Sequence, residues 1–353
     1  MTILRTDDPR LLGRPELVQD LSAVLGALEG WRVLITGAAG SLGSLLAGSL
    51  AMIPGVHLSL LDHHEHSLFA LQRALATTEG SRAFVLADVR DHERMKRVLA
   101  VERPRLIVHL AAYKHVHFGE LFPEETIGVN VLATRGLIAL AEEQGVERFV
   151  YPSSDKAVNA PSLYGATKRI GEVLIRAAAK RGRQYTAVRY MNVLGTRGSV
   201  LETFAAQLRD GLPLTVTDAA MTRYWISPRE AIWLALESVR AAGGTLLMLD
   251  VREEIPVVEM ARRLAEQLGP RDTPYPLRFT GIRPGERLRE EMLGPHDRSA
   301  PGQAPGLLSV ADLLLDEHIA QVDAFVDELA RLRQHGDTRA LHDVAMRAGH
   351  GLQ

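Results

Sequence analysis

The sequence contains no cysteine, which excludes disulfides, thiolate nucleophiles and cysteine-ligated zinc and fits a reducing, cytoplasmic setting. It has no excess charge of either sign. Forty-one basic residues face 43 acidic ones, a formal net charge of −2, so there is no electrostatic case for nucleic acid or membrane binding. No apolar run approaches the roughly 20 residues of a membrane span. The lead-in carries Asp7, Asp8, Arg10 and Arg14 without a sustained apolar core and does not read as a signal peptide. Internal repeats and low-complexity tracts are missing too. What is there is 353 residues with 46% hydrophobic content, enough for a large core in one big domain or two small ones.

Arg32–Thr36 reads as a short strand that runs straight into Gly37-Ala38-Ala39-Gly40-Ser41-Leu42-Gly43. Leu42, Leu45, Leu46 and Leu50 then form the apolar stripe of a helix. Strand, glycine turn and helix in that order are the setting in which such a loop binds a dinucleotide. Gly37 permits the tight turn, Gly40 lets a pyrophosphate approach the backbone, and Gly43 packs helix against strand. The helix start at Ser41 and Leu42 offers free N–H groups and a positive dipole end to phosphates. The lysine of a P-loop is missing, which argues against a nucleoside triphosphatase.

A second strand, His57–Leu61, ends on Asp62, about 20 residues beyond the loop. A carboxylate there accepts hydrogen bonds from ribose hydroxyls and repels a 2′-phosphate, so NAD is favoured over NADP. The cluster His63-His64-Glu65-His66 matches no zinc spacing, and no metal site is expected. A third strand, Ala83–Ala87, leads to Asp88 and Val89, placed to flank an adenine ring. A fourth, Leu106–Leu110, leads to Ala111 and Ala112, small enough to leave room for ribose and phosphates. Pro123–Gln144 has a helical pattern with Asn130 inside it, either a packing residue or a brace for the strand that carries Ser154. Strands alternating with helices imply an α/β doubly wound parallel sheet whose ligands sit at the carboxyl ends of the strands. The glycine loop, Asp62, Asp88, Ala111 and Ser154 all fall at such ends.

Ser154 closes the next strand, and Tyr164-Gly165-Ala166-Thr167-Lys168 opens a helix with apolar positions at Ile170, Val173, Leu174 and Ala177. Tyr164 and Lys168, four apart, stand one above the other on the helix. A phenol has a reference pKa of about 10, which a neighbouring ammonium lowers. With the Ser154 hydroxyl, the set can take a proton from a substrate alcohol while hydride leaves the same carbon. On spacing alone a solvated Tyr–Lys pair is the simpler reading; the dinucleotide pattern upstream reverses that.

Thr186–Arg189 and Leu246–Leu249 read as further strands, the second as the last, and Val257–Leu268 as an amphipathic helix. Arg223 and Arg283 sit in glycine- or proline-bounded loops that suit either a diphosphate or plain surface charge. The division expected is a lead-in over 1–30, a dinucleotide domain over 31–191 with a strand returning near 245–250, a smaller C-terminal substrate lobe over 192–306 that ends in a Pro/Gly-rich linker, and a helical tail over 307–353. The apolar tail positions Leu313, Leu314, Ile319, Val322, Phe325 and Leu329 need burial, either in a homo-oligomer or on their own subunit.

The Gly37–Gly43 loop with Tyr164 and Lys168 resembles the extended short-chain dehydrogenase/reductase superfamily, whose members mostly act on nucleotide sugars. More closely, the chain resembles the branch of UDP-N-acetylglucosamine 4,6-dehydratases and capsular polysaccharide biosynthesis proteins, over nearly its whole length. The matching stretches are Leu11–Arg14, Ala111–Val116, Ser154–Asn159 (Ser where Thr is usual), Asn192–Gly195, Arg197–Val200, Met221–Tyr224 and Arg283–Glu286. Many large members carry an N-terminal membrane region not found here, which points to a soluble form, and many have Met where Tyr164 stands. The resemblance implies NAD as a recycled hydride store, Lys156 as the base at C5 of the sugar and Asp155 as the acid at C6. It adds Lys114, Asn130, Tyr164 and Lys168 to the cofactor contacts and implies substrate contacts at Lys114, His115, Asn192, Ser199, Val200, Arg223, Arg283 and Glu286. Inversion or retention at C5 stays open, and a nucleotide-sugar 4-epimerase, a 4-reductase or a non-catalytic NAD-binding regulator are the rival readings.

Overall fold

A computed structural model of the chain describes residues 6–78, 80–268 and 275–353; residues 1–5 of the lead-in lie outside it. Seven strands run parallel: β1 (Arg32–Thr36), β2 (His57–Asp62), β3 (Ser81–Leu86), β4 (Leu106–His109), β5 (Arg148–Ser154), β6 (Gln184–Tyr190) and β7 (Leu246–Leu249). Two further strands, β8 (Asp297–Pro301) and β9 (Leu307–Asp312), join antiparallel beside β7. The sheet order is β8-β9-β7-β6-β5-β4-β1-β2-β3. The central strands are apolar almost throughout, as in Val33-Leu34-Ile35 and Leu106-Ile107-Val108, because helices cover both faces of a parallel sheet. From β1 the chain steps outward to β3, then returns to β4 and proceeds the other way. The crevice of such a sheet opens where that reversal occurs, between the carboxyl ends of β1 and β4.

The hairpin β8–β9 corrects the expectation of a linker followed directly by a largely helical tail. Its outer strand is polar and exposed at Arg298, Ser299 and Ala300 and ends on Pro301, features tolerated only at a sheet edge. Neither strand carries the alternation that marks a half-buried β-segment, and only Leu307 and Val310 of β9 are buried apolar anchors.

Four helices shape the site and its support: α1 (Ser41–Leu50), α2 (Leu163–Lys180), α3 (Leu315–His335) and α4 (Thr338–Gly351). Val322, Val326 and Leu329 of α3 and Leu341, Val344 and Ala348 of α4 share one core with Ile170 and Leu174 of α2. Gly349 sits so close that a Cβ there would meet the Ala166 Cβ at 2.5 Å. The tail thus shares the core of the dinucleotide domain: Val322 and Leu329 are buried there and Ile319 and Phe325 partly buried, while Leu313 is exposed.

A buried set of charges fastens the hairpin and tail to α2. Arg169 donates to Glu172 (3.0 Å) and Asp312 (2.7 Å), and Arg189 of β6 donates to Glu172 (2.8 Å) and Asp297 (2.6 Å). The lead-in is fastened as well. Leu11 and Leu12 enter the core of the smaller lobe beside Leu201, Phe204 and Leu264, and Arg14 pairs with the buried Glu230 at 2.6 Å. That lobe consists of three two-stranded ribbons and helices that include Val200–Arg209 and Val257–Leu268, inserted around β7.

Candidate active site

The glycine loop is held by contacts that leave no room for side chains. Gly37 adopts φ +67°, and a Cβ there would meet the Ala111 backbone nitrogen at 2.7 Å. A Cβ at Gly43 would lie 2.3 Å from the Gly37 carbonyl oxygen. The first turn of α1 is therefore pressed onto the loop, and its cap, Gly40, contributes no side-chain hydrogen bond, so the turn's N–H groups stay open to an anion.

A cleft runs from Gly37 and Gly40 past Asp62–His64 and Asp88–Val89 to Ala111–Tyr113. Asp62 stands at its edge with Oδ2 accepting from the Ala39 N–H and Oδ1 from the His64 N–H, both at 3.0 Å. Asp88 is turned onto Arg90, which holds its carboxyl below the usual range by hydrogen bonding. Among the described residues no group of His, Asp and Glu is placed to hold a metal.

One lining residue had no role in the sequence reading. Arg197 comes from the smaller lobe, where its backbone N–H donates to the Ser41 hydroxyl at 2.9 Å and its guanidinium to the Ala39 carbonyl. It closes the cleft over the glycine loop.

Asn130 does not line the cleft. Its amide accepts from the Tyr113 N–H and donates to the Tyr113 carbonyl, both at 2.9 Å, and donates to Thr167 of α2 at 3.2 Å. It braces the segment after β4 against α2, not the strand that carries Ser154. It does so from a π-helical turn, Gly128–Ala133, that interrupts the expected helix.

The second half of the site is built on the junction of β5 and α2. Ser154 ends β5, a 3₁₀ turn spans Asp155–Ala157, and Ser162 caps α2 by accepting the Gly165 N–H at 3.3 Å. A Cβ at Gly165 would lie 2.1 Å from the Lys156 carbonyl oxygen, so turn and helix are in backbone contact.

Ser154 Oγ donates to Asp155 Oδ1 at 2.8 Å. Lys168 Nζ donates to the Pro152 carbonyl at 2.8 Å and lies 5.9 Å from the centre of the Tyr164 ring. Burial without a carboxylate at contact distance pushes Lys168 down to about 7, with Glu172 opposing. The Tyr164 phenol was expected to be lowered by Lys168. Instead burial raises it, and the cation that opposes this is Lys156, helped by the Ser154 hydroxyl.

Lys156 Nζ sits between two carboxylates, 3.0 Å from Asp155 Oδ1 and 3.3 Å from Glu290 Oε1. Burial works to lower its pKa, but the two carboxylates outweigh burial and raise it. Asp155 Oδ2 is buried without a hydrogen-bond partner. Glu290 escaped the sequence reading because Arg287-Leu288-Arg289-Glu290-Glu291 looks like solvated charge. The pairing that buries it begins 67 residues earlier, at Arg223, whose Nε lies 3.5 Å from Glu290.

Arg223 is consumed as a brace rather than offered to a diphosphate: its guanidinium donates to the carbonyls of Thr222 (2.7 Å), Arg287 (2.8 Å) and Leu288 (3.1 Å). Asn192 likewise donates to the Tyr224 carbonyl at 3.2 Å, and Ser199 caps the helix that starts at Val200. Lys114 is exposed beside the cleft, and the His115 ring lies under Gly198. Arg283 is exposed, and its backbone N–H donates to Glu286 at 3.2 Å. Their turn approaches the start of α2, since a Cβ at Gly285 would meet Val116 at 3.0 Å and Ser162 at 3.1 Å.

A glycine-loop cleft at the switch point of a doubly wound sheet, with Ser154 at the end of the neighbouring strand β5 and Tyr164 and Lys168 on the helix that follows, defines an extended short-chain dehydrogenase/reductase fold. The sequence pattern of the polysaccharide biosynthesis protein family matches residues 33–311, and the chain belongs to that family. It is 37% identical over 292 residues to the probable polysaccharide biosynthesis protein EpsC of Bacillus subtilis, covering 81% of this chain and 49% of that protein. It is 30% identical to an inverting UDP-N-acetylglucosamine 4,6-dehydratase of Campylobacter jejuni, over 76% of this chain and 79% of the relative. The crystal structure of a DesIV double mutant, a dTDP-glucose 4,6-dehydratase of Streptomyces venezuelae with NAD bound, superposes with a TM-score of 0.64 at 26% identity, covering 74% of this chain and 88% of that one. The chain spans about half the length of the Bacillus relative. Among the described residues no helix is long and apolar enough to cross a membrane.

Proposed function

We propose that the chain is a nucleotide-sugar 4,6-dehydratase that converts UDP-N-acetylglucosamine to a UDP-2-acetamido-2,6-dideoxy-4-hexulose. The observation that carries this is the fused turn Ser154-Asp155-Lys156. It sets an acid/base pair against the Tyr164 and Lys168 pair, which removal of a C4 hydrogen alone does not require. The cleft suits NAD: Gly37 and Gly43 clear its path, the start of α1 faces its pyrophosphate, and Asp62 and Arg197 bound its ribose and phosphates. NAD, when bound, supplies the acceptor for hydride from C4 and the donor of hydride to C6.

The chain's own residues move protons. Tyr164, as phenolate, takes the C4 hydroxyl proton, with Ser154 as hydrogen-bond partner. The resulting C4 ketone acidifies C5–H. Lys156 takes that proton once its amine is free, and Asp155 protonates the departing C6 hydroxyl. The ion pair seen here holds one proton between the two residues, and shifting it across their 3.0 Å hydrogen bond gives the amine base and carboxylic acid that elimination needs. Lys114, Arg283 and Glu286, at the rim, are proposed to hold the nucleotide end.

A 4-epimerase is the second reading, favoured by the resting ammonium of Lys156, which is not a base. Incubation with UDP-N-acetylglucosamine in D₂O without added reductant separates the two. A C6 methyl signal with deuterium at C5 is expected, lost in Lys156→Ala. A galacto-configured product with no methyl signal would establish the epimerase instead.

A further inference from the structure

The turn that carries Asp155 and Lys156 is gripped by segments to which the proposed chemistry gives no role. Beyond it the chain runs through Ala157, Val158 and Asn159 to Ala160, and all but Asn159 are buried. Asn159 adopts φ +45°, a left-handed backbone that asparagine tolerates but does not favour, so its surroundings must hold it there. The Val158 N–H closes the turn on the Asp155 carbonyl at 3.1 Å. Distant segments supply the remaining partners. Gln353, just past α4, accepts from the Asn159 N–H at 2.8 Å through Oε1. Its Nε2 donates to the Ala157 carbonyl at 2.9 Å and to the Gly349 carbonyl of α4 at 2.8 Å. The His350 ring donates to the Ala160 carbonyl at 3.0 Å. From the segment that bears Glu290, Arg287 donates to the Asn159 carbonyl, and the Asn159 side chain donates to Glu291.

We propose that Gln353 is a positioning residue for elimination: by clamping Ala157 and Asn159 to α4 it sets where Asp155 and Lys156 meet C6 and C5 of the sugar. A primary amide suits this place because it accepts from one backbone group and donates to another; a carboxylate could only accept and an ammonium only donate. The two bonds fall on the last residue of the turn and on its left-handed exit, the points where a slip would rotate the whole turn. The clamp is itself anchored, since Arg169 of the buried charge set donates to the Leu352 carbonyl. Tyr164 and Lys168 have separate support. Their helix is capped by Ser162, and Lys168 is held by the Pro152 carbonyl. C4 oxidation thus stands on α2 itself, whereas elimination stands on a turn that the tail holds in register.

This inference rests on the dehydratase reading, and the two can fail separately. Gln353→Met keeps the length of the side chain and loses all three bonds. On adding UDP-N-acetylglucosamine without reductant, the variant should reduce its bound NAD within about twofold of the wild-type rate, while methyl product and deuterium entry at C5 in D₂O fall about tenfold or more. Bound NADH should therefore accumulate in the variant and not in wild type. Without substrate, the Asn159 amide should exchange with solvent about tenfold faster or more. Both half-reactions are counted per bound NAD, so a loss of folded protein cannot imitate the split. If Gln353→Met does not fold, Gln353→Ala makes the same comparison with the same split expected. A parallel fall in C4 oxidation and methyl formation, wild-type turnover, or unchanged exchange at Asn159 in the tested variant would overturn the positioning role. Absence of methyl product from wild type would overturn the dehydratase reading itself.

Discussion

The two sides of α2 treat buried charge in opposite ways. On one side Lys168 has a carbonyl as its hydrogen-bond partner and is pushed down to about 7. One residue further on, Arg169 begins a set in which Glu172 is held down to about 2 despite burial, because Arg189, Arg169 and Arg176 surround it. Both groups are buried, but only the second has its charge answered. A buried ion whose partners are complete is a fastening, whereas one whose partners are missing sits close to changing its charge. The fold places the two a helical turn apart on α2.

The largest effect should come from breaking the satisfied side. Glu172→Ala leaves Arg169 and Arg189 each with one fewer buried carboxylate and should cost about 3–5 kcal/mol in urea unfolding, whatever ligand is present. Lys168→Met should do the reverse. It removes a desolvated ammonium, so the urea midpoint should hold or rise, while C4 oxidation falls on the order of 10²-fold or more. A variant that loses stability and rate in parallel would show that the two sides are not separable. The smallest effect is a pH slope. Glu172 stabilises the fold fully above about pH 4.5, and that contribution is lost as pH falls towards 2. Lys168 has a slope of the same sign in a higher window: between pH 7 and 10.5 the unfolded chain binds the extra proton, so stability from this group rises with pH. Urea midpoints at pH 7.5 and 9.5 should show that rise in wild type and not in Lys168→Met.

What the sequence made legible was local. The glycine loop, Asp62 at the end of β2, and Tyr164 with Lys168 on one helix face each come from spacing over a few residues and from the backbone demands of one turn. What it hid depends on distant partners. Glu290 looks like surface charge until Arg223 and Lys156 enclose it. The hairpin β8–β9 looks like a linker because edge strands avoid the alternation that would reveal them. Arg223 and Asn130 illustrate a third limit. Their sequence context marks them as site residues, but the carbonyls that occupy Arg223 and the backbone that occupies Asn130 belong to other segments. Residue type announced a polar role in both; only geometry says whether a ligand or the protein fills it.

The backbone contact at Gly165 has a consequence for how this scaffold can be altered. With 2.1 Å between a Cβ there and the Lys156 carbonyl oxygen, the turn bearing the proposed acid/base pair and the helix bearing Tyr164 form a single casting. Grafting a different loop between them, or lengthening it, would spoil both ends at once. Chemistry on this frame is therefore best diversified by exchanging side chains at fixed stations, with Asp155 and Lys156 as the replaceable tools and residue 165 as the rivet that keeps them aligned.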